Sequence, residues 1–387
     1  MKTLQVLAVA IAIALGCAIS TFAEDTPVND PLYMHLTTIP QPGEAAILDG
    51  AGHKHSAYEI YVTNFGTTPI KIEQIDVTAK AGGKDVKLET DAGKKLASMY
   101  MPLGGAKAEA PEVSPGQTGV FFIFPDFVPD QGIPESFETA IKMESHGEHS
   151  GSGTIHAPSI KINPAAPIVI QSPLRGKNWS AVNGPSNNSV HRRAILPING
   201  LPKIGQRYAI DWVQLGDDNN TFSGDKDKNS SYHAWDQEIH AVADGKIVEV
   251  KDGVPENVPN SGKIAVQITY DTLAGNHIIQ DLGGGHFAAY AHLRPGTLKV
   301  KVGDTVHAGD VIARLGNTGN SSEPHLHFQV CDAPSFPSSE GLPFAIDQFT
   351  RQDFTVDKSA DGKQTLVVKS THPMTREEPM EDELDIF

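Results

Sequence analysis

Two histidines, His325 and His327, stand two residues apart in the run PHLHFQV at 324–330. If the run is a β-strand, side chains alternate between faces. Both imidazoles then share one face while Leu326 and Phe328 take the core face. Neutral imidazole is a common metal ligand, but a pair supplies half a site. The plain alternative is two surface histidines at a strand edge. A third histidine, His292, lies in HFAAYAHLRPG, where the same alternation puts it on one face with Tyr290. The loop GNTGNSSE delivers the histidine pair, and the two Gly-Asp pairs of VKVGDTVHAGDVIARLG suit a tight β-hairpin between the strands that carry His292 and the pair.

These strands belong to a larger β-rich stretch: VHRRAIL, QRYAIDWV, EIHAVADGKIVEVK, GKIAVQITYD, HFAAYAHL, KVKVG, DVIARLG and HLHFQV. No segment sustains a helical period, so the expected class is all-β. Between residues 24 and 167, alternating runs such as AYEIYVTN, PIKIEQIDVTAK and TGVFFIF are separated by Gly, Pro and Asn clusters. That spacing implies an N-terminal β-sandwich of immunoglobulin-like type. His53, His55, His146, His149 and His156 fall in or beside its polar turns and read as solvated loop residues. Residues 168–189 read as a linker, rich in Gly, Pro, Ser and Asn, ahead of a second unit over 190–350. Residues 351–387 read as a strand pair, DFTVD and QTLVVKS, followed by a solvated acidic tail.

The chain has 387 residues and a formal net charge of −16, so it offers no basic surface for nucleic acid or anionic lipid. Residues 1–23 have the lysine, apolar stretch and small residues of a secretory signal peptide, with cleavage expected after Ala23. The alternative is a lipoprotein-like ALGC sequence that would leave Cys17 lipidated. No integral membrane span is expected once the leader is removed. The reading is an exported protein, periplasmic or extracellular. Loss of the leader after Ala23 leaves Cys331 as the one cysteine, which excludes an intrachain disulfide and suits a core thiol.

ADGKIVEV together with GDTVHAGDVIARLG is similar in shape to biotinyl and lipoyl carrier domains, but no modifiable lysine stands at a hairpin tip. With YAHL at 290–293, the segment 300–328 and AVADGKIVEV at 241–250 in this order, the stretch from about Arg207 to Val330 resembles the lysostaphin and LytM type of zinc metallopeptidase. The resemblance implies that residues 190–350 form a LytM-like β-rich catalytic domain that hydrolyses peptide cross-links of bacterial peptidoglycan. Stem or cross-bridge peptides would be the substrate, with a possible wall or envelope partner for the N-terminal domain. It also implies Zn2+ as cofactor, Asp211 and His327 as metal ligands, and His292 and His325 as catalytic residues that orient water and stabilise the oxyanion. Three protein ligands leave a fourth position on zinc for water.

One position departs from the family's pattern. Arg207 stands where the family has its first histidine ligand, and a guanidinium has no lone pair to give. Either another residue supplies the ligand, or the protein is a non-catalytic relative that binds the wall or regulates an amidase. His191 is the candidate substitute. If VHRRAIL and QRYAIDWV pair as a hairpin centred on Leu201, His191 faces Asp211 directly; the alternative is that it caps a solvated strand end. The Gly283 to Gly285 run reads as a turn. The acidic stretch from Gly216 to His240 reads as a solvated insertion beside the groove, with His233 and His240 as ordinary loop or strand-surface residues.

Overall fold

A computed structural model of the protein describes residues 36–104, 108, 110–127, 132–146 and 150–387. The expected leader, Cys17 and His149 lie outside the described residues. Within them the chain is nearly all β, and the one α-helix is the short Gly93–Ser98. The absent helical period in the sequence and the strand-dominated fold agree.

Toward the N-terminus, two sheets close on a common core. One runs Leu36–Gln41, Tyr58–Asn64, Thr118–Ile123, Tyr100–Pro102; the other is built around Ile70–Ala81 and Ser136–Ser145. Tyr58, Ile60 and Phe121 from the first sheet pack in one cluster with Ile72, Ile75, Phe137 and Ile141 from the second. Ile72 and Ile75 both point inward because the ladder gains one residue between them, opposite Lys142 and Met143, and a bulge of that kind resets the alternation. His55 corrects the sequence reading. It is a strand residue 7% exposed, its ring stacked on Phe124 at 5.3 Å and its Nε2 3.1 Å from the Gly50 carbonyl. His53, on the same strand, faces Asp126 at 2.6 Å.

The C-terminal part is organised by one large sheet whose central order is Phe344–Lys358, Leu384–Ile386, Trp179–Val182, Ile210–Gln214, Leu326–Cys331, His286–Leu293, Asn276–Gly283. One face of this sheet is core. Ala181, Ile210, Trp212, Leu326, Phe328, Val330, Ala288 and Tyr290 all join a single buried cluster. Trp179 and Trp212 are fully buried, and at about 25 cal/mol per Å2 over roughly 150–250 Å2 each ring supplies on the order of 4–6 kcal/mol. The opposite face is thereby held on a rigid base.

Several element expectations fail here for physical reasons. Residues 168–189 are more than a linker, since Ile168–Ile170 and Trp179–Val182 are strands of the large sheet. The acidic end is no solvated tail. Leu384–Ile386 inserts between Arg351 and Ser180 as a sheet strand, and Leu384 is fully buried; three apolar residues in LDIF outweigh the charges before them. The Gly-Asp segment does not close a hairpin on itself, because Thr305–Val306 pairs with Gly245–Lys251 and Val311–Arg314 pairs with Glu238–His240.

Candidate metal and catalytic centre

Three neighbouring strands put one row of residues on the face away from the core: Asp211 pairs with His327, and His327 pairs with Ala291. Alternation dictates this. Trp212, Leu326, Phe328 and Tyr290 commit one face to the core, so Asp211, His327 and Ala291 must take the other. A methyl group at Ala291 leaves room above the row for imidazoles.

His292 reaches the same face by breaking alternation. The ladder runs Ile278 to Tyr290 and then Asn276 to Leu293, so the histidine strand carries an extra residue. His292 has φ +62, in the left-handed region, with its N–H donating to the Ala274 carbonyl at 2.9 Å. This bulge turns the side chain away from Tyr290, contrary to the shared face expected, and re-aims it at the histidine pair. Its ring lies 4.7 Å from that of His325 and 5.8 Å from that of His327, centroid to centroid.

Gly275 and Thr318 lock the bulge. Gly275 has φ +61, and a Cβ there would lie 2.3 Å from Thr318 Oγ1, so only glycine admits the contact. The Thr318 carbonyl then accepts from His292 Nδ1 at 2.7 Å.

His325 immediately precedes the Leu326–Cys331 strand. Its Nδ1 donates to the Glu323 carbonyl at 2.9 Å, and its Nε2 is 3.4 Å from Asp211 Oδ1. Asn257 holds the loop beneath by donating to the carbonyls of Gly319 and Ser321.

His191 comes to the site, but not by the hairpin expected. Residues His191–Arg193 form a 3-10 turn, the hairpin between Leu196–Ile198 and Leu201–Lys203 ends short of both His191 and Asp211, and the partner of Asp211 on that side is Val182. That ladder pairs Ile198 with Leu201 and Leu196 with Lys203, so even if extended its register would set His191 opposite Tyr208 and not Asp211. The turn instead brings His191 Nε2 to 3.1 Å from Asp211 Oδ2. His327 Nδ1 lies 2.9 Å from the other oxygen, Oδ1.

The outer nitrogens set the tautomers. His191 Nδ1 faces the carbonyls of Asn183 at 2.9 Å and Ala209 at 3.1 Å, and His327 Nε2 faces Gln329 Oε1 at 3.0 Å. His191 Nδ1, facing two backbone carbonyls, must donate, which leaves Nε2 with a lone pair toward Asp211; with His327 Nε2 donating to Gln329 Oε1, His327 Nδ1 presents a lone pair likewise. Lone pairs so close to a carboxylate repel it unless a proton or a cation lies between. His191, Asp211 and His327 offer ligand atoms within 4.8 Å of one another. This nitrogen, oxygen, nitrogen donor set fits a divalent transition ion.

Electrostatics separate the histidines. Burial pushes His292 well below its ordinary pKa, and His325 and His327 push it further down. Burial also lowers His327 despite Asp211. For His191 and His325 burial is outweighed by the Asp211 carboxylate, and both are raised. Burial alone would raise Asp211, but His191 and His325 outweigh it and hold the carboxyl well below the usual range.

A cleft of about 340 Å3 opens above these groups, with Leu196, Leu273, Ser322 and Phe336 on its walls. The stretch from Gly216 to His240 contributes no wall residue to it. Arg207, 2% exposed, points away from the cleft to Glu59 and Glu340. Cys331 is buried, its Sγ near the carbonyls of Phe287 and Ala333. Sequence reading missed Asn183, Asn257 and Gln329. Gln329 was within reach, since period two places it on the His327 face; Asn183 was hidden in a turn dipeptide.

Residues 231–335 match the model of peptidase family M23. The match takes in His292, His325 and His327 and leaves His191 and Asp211 outside it. Lysostaphin of Staphylococcus simulans is 42% identical over 95 residues, 24% of this chain and 19% of that protein. The glycyl-glycine endopeptidase ALE-1 of Staphylococcus capitis is 39% identical over 92 residues, 24% of this chain and 20% of that protein. The solved catalytic domain of lysostaphin from Staphylococcus simulans is 26% identical, with a TM-score of 0.24 over 43% of this chain and 88% of that one. The chain thus spans about a fifth of the length of the curated relatives it matches.

Proposed function

We propose that this is an exported zinc metalloendopeptidase that hydrolyses peptide cross-links of bacterial peptidoglycan. His191, Asp211 and His327 would hold Zn2+, and His292 and His325 would act as the catalytic histidines. The observation that carries the reading is the pairing of a compact His, Asp, His donor set with two further imidazoles facing the same cleft. Similarity to lysostaphin and to a glycyl-glycine endopeptidase supports peptide hydrolysis, and the resemblance to the lysostaphin and LytM type supports the wall as its setting.

When bound, zinc supplies Lewis acidity that polarises water and a peptide carbonyl. The chain's own residues do the rest. His292, uncharged and with Nδ1 tied to the Thr318 carbonyl, presents Nε2 as a proton acceptor toward the cleft. His325, tied through Nδ1 to the Glu323 carbonyl, presents Nε2 beside Asp211 and, once protonated, can donate to a carbonyl oxygen carrying developing charge or to the departing amine. The walls at Leu196, Leu273 and Phe336 exclude water around the bond to be cut.

Export rests on the leader-like residues 1–23; among the described residues no helix is long and apolar enough to cross a membrane. The function is tested by incubating the zinc-loaded full chain with purified peptidoglycan and measuring newly released amine groups, with Asp211→Ala alongside. Amine release lost in Asp211→Ala supports the reading. Stoichiometric zinc without amine release on any wall chemistry contradicts it.

A further inference from the structure

The turn that carries His191 is gripped from outside its own sheet. Arg192, next in sequence, is fully buried and sends Nε and Nη2 to Glu59 Oε1 at 3.2 and 2.8 Å. Arg207, two residues before Ala209, sends Nε and Nη2 to Glu59 Oε2 at 3.2 and 2.9 Å. Glu59 belongs to the Tyr58–Asn64 strand of the N-terminal sheets and has no exposed surface. One carboxylate from the N-terminal part thus clamps two guanidinium groups of the C-terminal part.

The clamp is specific in geometry. Arg192 Nη2 also donates to the carbonyls of Tyr58 and Ile123 at 3.1 and 3.0 Å, and Arg193 lies over the Phe122 ring at 4.6 Å while donating to the Ser98 carbonyl. In this turn, His191 faces Asp211 while Arg192 and Arg193 face the N-terminal sheets. Arg207 enters the same arrangement from the other side, since His191 Nδ1 rests on the Ala209 carbonyl two residues beyond it. A buried guanidinium without its carboxylate partner is strongly unfavourable, so the turn cannot hold this position unless Glu59 is in place.

We propose that Glu59 is a positioning residue for the metal centre: by clamping Arg192 and Arg207 it fixes His191 against Asp211, so that the site is complete only when the N-terminal sheets are docked. The proposal rests on the reading of His191 as a metal ligand. It gives the N-terminal part a role in assembling the centre.

The test is a competition titration of the full chain with zinc against a chromophoric chelator, comparing the parent, Glu59→Gln, Arg192→Lys, His191→Ala and Glu59→Gln/His191→Ala. Near-UV circular dichroism reports folding, and cobalt(II) absorption reports the ligand set. Glu59→Gln keeps volume and removes the charge; it should weaken zinc roughly 10- to 100-fold, as loss of an outer support of a ligand does, and alter the cobalt spectrum. In the His191→Ala background it should cause no further loss. Should Glu59→Gln fail to fold, Arg192→Lys, which removes the guanidinium fork and keeps the charge, is read by the same criteria. Parent-like zinc affinity in a folded Glu59 or Arg192 variant, or losses that multiply in the double variant, overturns this proposal alone if His191→Ala still weakens zinc. A parent that binds no zinc overturns the metal reading and this proposal with it.

Discussion

Asn183 holds His191 and Asp211 together. Its Nδ2 donates to Asp211 Oδ2 at 2.9 Å while its carbonyl accepts from His191 Nδ1 at 2.9 Å, so one residue orients two candidate ligands. Its φ of +54 makes glycine the conservative replacement for the backbone. Asn183→Gly keeps the carbonyl and loses the amide. It should weaken zinc by about 10-fold or more through a freed Asp211 carboxylate. Zinc titration checks this, and unchanged affinity would show the amide contact to be incidental.

His325 and His327 should fail differently although only Leu326 separates them. His327→Ala removes a proposed ligand and should lose both zinc and turnover, whereas His325→Ala and His292→Ala should keep zinc and lose roughly 10²-fold or more in hydrolysis. Elemental analysis beside amine release separates the cases. Equal zinc loss in all three variants would contradict the assigned roles.

The arrangement of His292 offers a further check that leaves every imidazole in place. Gly275→Ala forces a Cβ against Thr318 and should displace the carbonyl that holds His292 Nδ1. Turnover should fall by about 10-fold or more with zinc content unchanged. Normal turnover in a folded Gly275→Ala chain would mean that the bulge tolerates movement of its support.

What could be read from the sequence follows the range of the forces involved. Alternation is a local rule, and it placed His327 opposite the core face and identified the β class. It failed at His292, because the bulge depends on Gly275 and Thr318, which are distant in sequence and leave no mark in YAHL. The expected hairpin for His191 was centred on Leu201, whereas the ladder turns between Asn199 and Gly200 and reaches no further than Leu196 and Lys203. Arg207 was legible as a residue unable to bind metal, yet its partner Glu59 lies in the other half of the chain, where pattern gives no hint of docking. The acidic end misled for a related reason: composition suggested solvent, while Leu384 and Asp385 are buried by strands far away in sequence.

Asp385 carries a pH signature of that burial. It is fully buried, and neither carboxylate oxygen has a hydrogen-bond partner among the described residues. Burial pushes its carboxyl well above the ordinary value of 3.8, with Glu383 adding to the shift and Arg351 opposing it. The folded chain therefore keeps a proton that the unfolded chain has lost. The associated stability is present below the unfolded value and is lost as pH rises through the folded one, at about 1.4 kcal/mol per unit of upward shift. Asp385→Asn should raise the Tm at about pH 8 more than at about pH 4. An equal effect at both would place the origin of any change elsewhere.

On the proposed reading His191, in place of the arginine-occupied position 207, completes a metal site with Asp211 and His327. Zinc-edge anomalous diffraction from crystals of the zinc-loaded full chain tests it most directly. One zinc is expected at this site, bonded to His191 Nε2, an Asp211 carboxylate oxygen and His327 Nδ1, each at about 2.0–2.2 Å, with His292 and His325 unbound. A zinc at this site that leaves the His191 nitrogen outside ligating distance, or no zinc between these residues, would contradict it.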